Sequence, residues 1–195
     1  DLANILGNLV NRTIAMQTKY FDGVIQDSSV SEAIGQELID LALATPNKIM
    51  AKMDNLKVAD SIDAIWTLLR RSNKYIDETM PWVLAKDEAS KPRLGTVLYN
   101  LLESIRMCAV MLEPFMPETS EKILSQINSS VSDWDSLQGF DGIKAGDSVG
   151  VGEVLFARLD EKKVLEAIQK ENEAHAPKVK EVKAEPVKAQ KETKK

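Results

Sequence analysis

The positions Leu2, Leu6, Leu9, Thr13, Met16 and Tyr20 recur at alternating steps of four and three, which lines one helical face and predicts a first helix ending near Asp22-Gly23. A second pattern follows Ser31, through Ile34, Leu38 and Leu41 to the alanine-rich run at Ala44, and Pro46 is expected to start a new turn or kink the helix toward Met53. Ser61, Ile62, Ile65, Trp66, Leu69 and Ile76 mark a third helix from about Val58 to Asp77; Asn73 falls on the same stripe, so its carboxamide needs internal partners. Pro81-Trp82-Val83-Leu84-Ala85 reads as a corner with a short helical stub, because proline suits a first helical position.

Leu94, Leu98, Leu101, Ile105, Cys108 and Leu112 form the most regular stripe, stopped by Pro114, and Glu118 to Ile127 supply a short fifth helix with Ile123, Leu124 and Ile127 inward. Five helices on short connections make an all-α, antiparallel bundle over residues 1–127. Residues 128–170 then form an irregular extension, rich in Ser, Gly and Asp as far as Gly152, with a short strand expected at Val154-Leu155-Phe156 and a last helix over Glu161 to Gln169, packing back toward the bundle. From 171 to 195 Lys, Glu, Ala, Pro and Val alternate without hydrophobic periodicity, and such a segment cannot bury enough surface to offset chain entropy, so it reads as a solvated linker.

Composition narrows the chemistry. Nine Gly and ten aromatic residues among 195, against abundant aliphatic ones, favour helices over a sandwich or barrel. The single cysteine, Cys108, has no partner for a disulfide, which points to a reducing, cytoplasmic setting, and the one histidine, His175, lies in a polar stretch. Serine, cysteine or zinc catalysis built on histidine is therefore excluded, and no catalytic or metal site is expected. No stretch approaches the roughly 20 apolar residues that span a bilayer, so no membrane partner is expected. The net charge of −5 is uneven: eight of the 25 basic and five of the 30 acidic residues lie in 170–195, which leaves the rest strongly acidic. A surface of that sign cannot hold a long phosphate backbone by counterion release, so any RNA contact must be small and specific.

Three separated segments carry a resemblance: Asn8-Leu9-Val10-Asn11-Arg12 followed by Tyr20-Phe21-Asp22-Gly23; Asn73-Lys74-Tyr75-Ile76 leading to Pro81-Trp82-Val83; and Leu112-Glu113-Pro114-Phe115-Met116-Pro117. In this order and spacing they resemble the anticodon-binding domain of bacterial methionyl-tRNA synthetases, over about residues 1–160. Val154 to Asp160 looks like the family's return strand, with Ala157 where proline is expected. The resemblance implies that Asn8 and Arg12 meet the first base of a CAU anticodon, that Trp82 stacks beneath it, and that Pro81 fixes the corner. It further implies a parent enzyme, a methionine-tRNA ligase using ATP and Mg2+, whose catalytic domain precedes Asp1. A downstream OB-fold tRNA-binding domain is expected beyond the 171–195 linker. A helical pattern already running at Asp1, with no HIGH-like or KMSKS-like signature anywhere, fits a fragment of that parent with no cofactor of its own.

The residue types suit this role independently. Positions 8 and 12 are one turn apart and project together; Arg presents a planar fork of donors, Asn a donor and an acceptor, and Trp the largest ring for stacking. The plainer alternatives are that Trp82 packs as core beside Val83 and Leu84, and that Asn8 and Arg12 occupy a solvated face with a surface ion pair. Trp66 is the better core tryptophan. Lys19, Arg70, Arg71 and Lys74 are candidates for the RNA backbone, and Asn73 for a structural link. Two other functions compete: the helical bundle of a leucine, isoleucine, valine or cysteine synthetase, and a helical protein-interaction scaffold.

Overall fold

The computed structural model describes residues 2–157 and 160–175, with side chains described as far as Asn172. A π-helical turn, Leu2–Gly7, leads into α1 (Asn8–Phe21). There follow α2 (Ala33–Met53), α3 (Val58–Thr79), the one-turn α4 (Pro81–Leu84), α5 (Lys91–Leu112), α6 (Pro117–Gln126) and α7 (Glu161–His175). Residues up to 157 make one compact unit and α7 belongs to another, described by itself. None of the described helices is long and apolar enough to cross a membrane.

The five long helices of the first unit are those expected. α5 is its axis: from Leu94 to Leu112 every residue except Tyr99 is buried, because α1, α2, α3 and α6 all pack on it. The four-residue connection 54–57 folds α3 back along α2, and Trp66 on α3 is a core residue at 8% exposure. α2 runs as one helix from Ala33 to Met53 with Pro46 inside it, so of the two expectations for Pro46 a separate new turn is not formed.

α1 departs from its expected stripe. Leu6, Leu9 and Thr13 are buried, but so are Val10, Ile14 and Gln17, while Leu2 is exposed and Met16 and Tyr20 are half-buried. The buried face is wider than the stripe because the extension lies on it. A Cβ added at Gly152 would stand 3.3 Å from Ile14, and one at Gly7 would stand 3.3 Å from the Phe156 ring. The strand expected at Val154–Phe156 is therefore not formed. With no neighbouring strand, Phe156 packs on the start of α1, and Val154 faces solvent. The one β-pairing among the described residues is an isolated antiparallel bridge, Val24 to Ser148.

A buried charge pair fastens the extension to α5. The Glu103 carboxylate accepts from Arg106 Nε and Nη2 at 3.0 and 2.7 Å and from the backbone N–H groups of Gly142 and Ile143, both at 3.0 Å. Arg106 Nη1 donates to Ser136 Oγ at 2.8 Å and Nη2 to the Ser136 carbonyl at 3.2 Å. Both side chains are fully buried, so each charge survives only because its partners replace water. Gly142 leaves the space the guanidinium fills: a Cβ there would sit 2.2 Å from Arg106 Nε. Gln126 holds the next stretch, accepting from Gly150 N–H on its carbonyl at 2.9 Å and from Glu153 N–H on its side chain at 3.1 Å.

In the second unit, α7 extends to His175, so the first five residues of the linker expected from 171 are helical; residues 176–195 lie outside the described residues.

Candidate functional site

α1 ends where Asp22 turns into the left-handed region (φ 52°), its N–H donating to the Gln17 carbonyl, with Gly23 following at φ 83°. The buried set on α1 leaves Asn8, Arg12 and Lys19 in solvent. Arg12 reaches across to α3, where its Nη2 lies 3.7 Å from Asp77 Oδ1; both partners are exposed. Such a pair contributes about 0–1 kcal/mol, so it places the guanidinium more than it stabilises the fold. One turn earlier on α3, half-buried Asn73 donates to the carbonyls of Ile5 at 3.1 Å and Leu69 at 2.9 Å. It is the structural link expected of it, tying the entry to α1 against α3, and Asp77 continues that contact toward the end of α3.

α3 stops at Met80, whose backbone is left-handed (φ 47°, ψ 63°) while its N–H still donates to the Ile76 carbonyl at 2.9 Å. Pro81 cannot continue α3 but is already shaped to open α4. Pro81 and Leu84 are buried and anchor the corner; Met80, Trp82 and Val83 are turned outward, with Trp82 42% exposed. The reading of Trp82 as core is thereby removed: Trp66 lies inside the bundle and Trp82 on its surface, at the corner that follows Asp77. Asp77, the acid that Arg12 meets, was not among the residues singled out from the sequence.

The other candidate cations are engaged to different degrees. Lys19 sits over the Tyr20 ring, 5.4 Å from its centroid. Arg70 pairs with Asp63 at 3.2 Å and Lys74 with Glu78 at 3.2 Å, and both cations remain well exposed. Arg71 is 15% exposed and committed inward, to Glu37 at 3.3 Å, Glu78 at 3.0 Å and the Ile34 carbonyl at 3.3 Å.

The titrating groups that are clearly perturbed lie in the core or packed against it. Burial pushes the Cys108 thiol far above its ordinary range, which makes it a poor nucleophile. Burial, reinforced by the nearby Glu103 carboxylate, raises Tyr99 to about 12, and its side-chain oxygen donates to the Ile143 carbonyl at 3.2 Å. Tyr75 is raised by burial too, against a hydrogen bond from Asn100. Among the described residues no cluster of three His, Cys, Asp or Glu side chains is placed to hold a metal ion.

Comparison with known proteins identifies the family. Residues 26–175 match the family model described as the anticodon binding domain of methionyl tRNA ligase. A methionine–tRNA ligase of Clostridium perfringens is 58% identical over 160 residues, covering 82% of this chain and 25% of that protein. One of Caldanaerobacter subterraneus subsp. tengcongensis is 48% identical over 185 residues, covering 94% of this chain and 29% of that one. Among solved structures, Mycobacterium tuberculosis methionyl-tRNA synthetase in complex with methionyl-adenylate superposes with a TM-score of 0.77 at 29% identity, covering 81% of this chain and 31% of that chain. The chain thus spans about a quarter of the length of the curated relatives it matches.

Proposed function

Because the chain belongs to the family of methionyl tRNA ligase anticodon-binding domains, we propose that its α1 face and the α3–α4 corner read the CAU anticodon loop of methionine tRNA. In this reading Arg12 and Asn8 form hydrogen bonds to the Watson–Crick edge of the unpaired first base, and the Trp82 indole stacks on its face. Pro81, buried beneath the corner, holds the indole outward. The observation that carries the reading is an exposed tryptophan at the corner that follows Asp77, the residue Arg12 touches. An exposed indole offers a face on which an unpaired base can stack, and the Arg12 fork, exposed in its pair with Asp77, keeps donors that such a base can use. Lys19, Arg70 and Lys74 keep enough exposure to approach phosphates, whereas the donors of Arg71 are taken up by Glu37, Glu78 and the Ile34 carbonyl.

The reading extends to a parent methionine-tRNA ligase working in the cytoplasm, in which this domain helps a catalytic domain outside the chain select its tRNA. ATP and Mg2+ serve that other domain, and no step of their chemistry is assigned to residues of this one. An OB-fold tRNA-binding domain beyond residue 195 would add affinity without adding anticodon specificity.

Titration with anticodon stem-loops tests the proposal. Cytosine at the first anticodon position is expected to bind more tightly than uracil, with the difference lost in Arg12→Ala. Equal affinity for the two bases in the unaltered protein overturns it.

A further inference from the structure

The last turn of α3 carries the wrong charge for its position. A helix has partial negative charge at its C-terminus, where cations are favoured and carboxylates are not, yet α3 closes with Asp77 and Glu78 and has no basic residue in that turn. The last carbonyls of a helix also lack intrahelical donors, the ordinary reason that helix ends fray. Here the end leads directly into the corner: Met80 caps it in a left-handed conformation, and Pro81 and Trp82 follow.

Both acids are held by cations from outside the turn. Asp77 meets Arg12 of α1 at 3.7 Å. Glu78 is gripped by Arg71 Nη1 at 3.0 Å and by Lys74 Nζ at 3.2 Å. Positions 71, 74 and 78 are separated by three and four residues, so the three side chains share one face of α3. Arg71 also reaches α2: its Nη2 lies 3.3 Å from Glu37 Oε2 and 3.3 Å from the Ile34 carbonyl oxygen, and its guanidinium carbon is 5.9 Å from the centroid of the Tyr75 ring. A lone exposed pair would hold little, but Arg71 is largely buried and shares its donors among two carboxylates and a carbonyl, the networked arrangement in which such contacts count.

We infer that Arg71 is a positioning residue for anticodon recognition: acting through Glu78, it fixes the last turn of α3 against α2, and so sets where Asp77 holds Arg12 and where the Trp82 corner begins. The inference rests on the anticodon reading above. It gives Arg71 a part that needs no contact with RNA, unlike the backbone contact expected of it from the sequence.

The test uses the 195-residue chain and anticodon stem-loops with cytosine or uracil at the first position, titrated over a range of KCl concentration well below the melting transition. Arg71→Met removes the fork and keeps an aliphatic stem; Glu78→Gln keeps the shape and removes the charge that Arg71 grips, from a half-buried side chain. Both are expected to bind the cytosine loop about tenfold more weakly, the equivalent of one ordinary hydrogen bond, and to lose most of the preference for cytosine over uracil, with the salt slope unchanged. Amide exchange at Met80, whose N–H donates to the Ile76 carbonyl at 2.9 Å, should quicken in both. Glu78→Gln alone decides if Arg71→Met does not fold. A merely structural arginine would lower the melting temperature and leave the cytosine preference of the folded variants intact, which overturns the inference. A phosphate-binding arginine would weaken both loops alike in Arg71→Met and make its salt slope shallower by about 0.7, with Glu78→Gln unaffected, which overturns it too. An unaltered chain without any preference removes the anticodon reading and this inference together, whereas a preference that survives in the variants removes only the inference.

Discussion

At Trp82, exposure separates two effects that a single substitution usually mixes. The ring is outside the core, so Trp82→Ala is expected to change unfolding free energy by less than about 1 kcal/mol, while removing a base stack that contributes about 1–3 kcal/mol. Affinity for a CAU stem-loop should then fall about 5- to 150-fold with the denaturation midpoint nearly unmoved. A large loss of stability would mean that the indole supports the corner instead of a ligand. Tyr99 gives a complementary prediction for pH. Its hydroxyl is raised from 10.0 to about 12 in the folded protein, so the fold retains the proton where the unfolded chain has released it. Its contribution is fully present below about pH 10 and is lost as pH rises to about 12. Denaturant unfolding across that window should lose stability with pH, and Tyr99→Phe should flatten the loss. How far single residues were legible depends on what decides them. Trp66 and Trp82 were told apart because helical periodicity puts one on a stripe and a proline puts the other on a corner. Asp77 was not found, because an ion pair between helices leaves no periodic trace in the chain.

Among the elements, α5 shows where pattern reading stops. Its apolar stripe located the helix correctly, yet Glu103 and Arg106, three residues apart, have the spacing of an ordinary solvated pair, and only the extension folding over them makes them internal. The same extension widened the buried face of α1 beyond its stripe and took Phe156 out of the expected strand. In each case the missing information was a long-range covering layer, which local periodicity cannot encode. Glu103→Gln should therefore cost far more than a surface substitution, about 3–5 kcal/mol, because it strands the Arg106 charge in the interior. Hydrogen exchange locates the damage: the amides of Gly142 and Ile143, which donate to Glu103, should lose protection before those of α3. If they exchange no faster than in the wild type, the pair is not what holds the extension.

Taken whole, the domain has few places to meet a polyanion. If Lys19, Arg70 and Lys74 each make one phosphate contact, with about 0.7 counterions released per contact with a single strand, log affinity should fall with log salt at a slope of about −2. Stem-loop titrations over a range of KCl concentration measure that slope, and a value steeper than about −4 would point to a broad electrostatic footprint that the proposed surface lacks.

Phe156 rests on Gly7, so the polypeptide leaves the first unit beside the place where its first long helix begins. A unit with neighbouring entry and exit can be treated as a cassette. It should tolerate transplantation onto an unrelated host loop, and a short glycine-rich bridge between those two points should permit circular permutation, with new ends opened at the exposed turn around Leu56, without disturbing either α1 or the tryptophan corner.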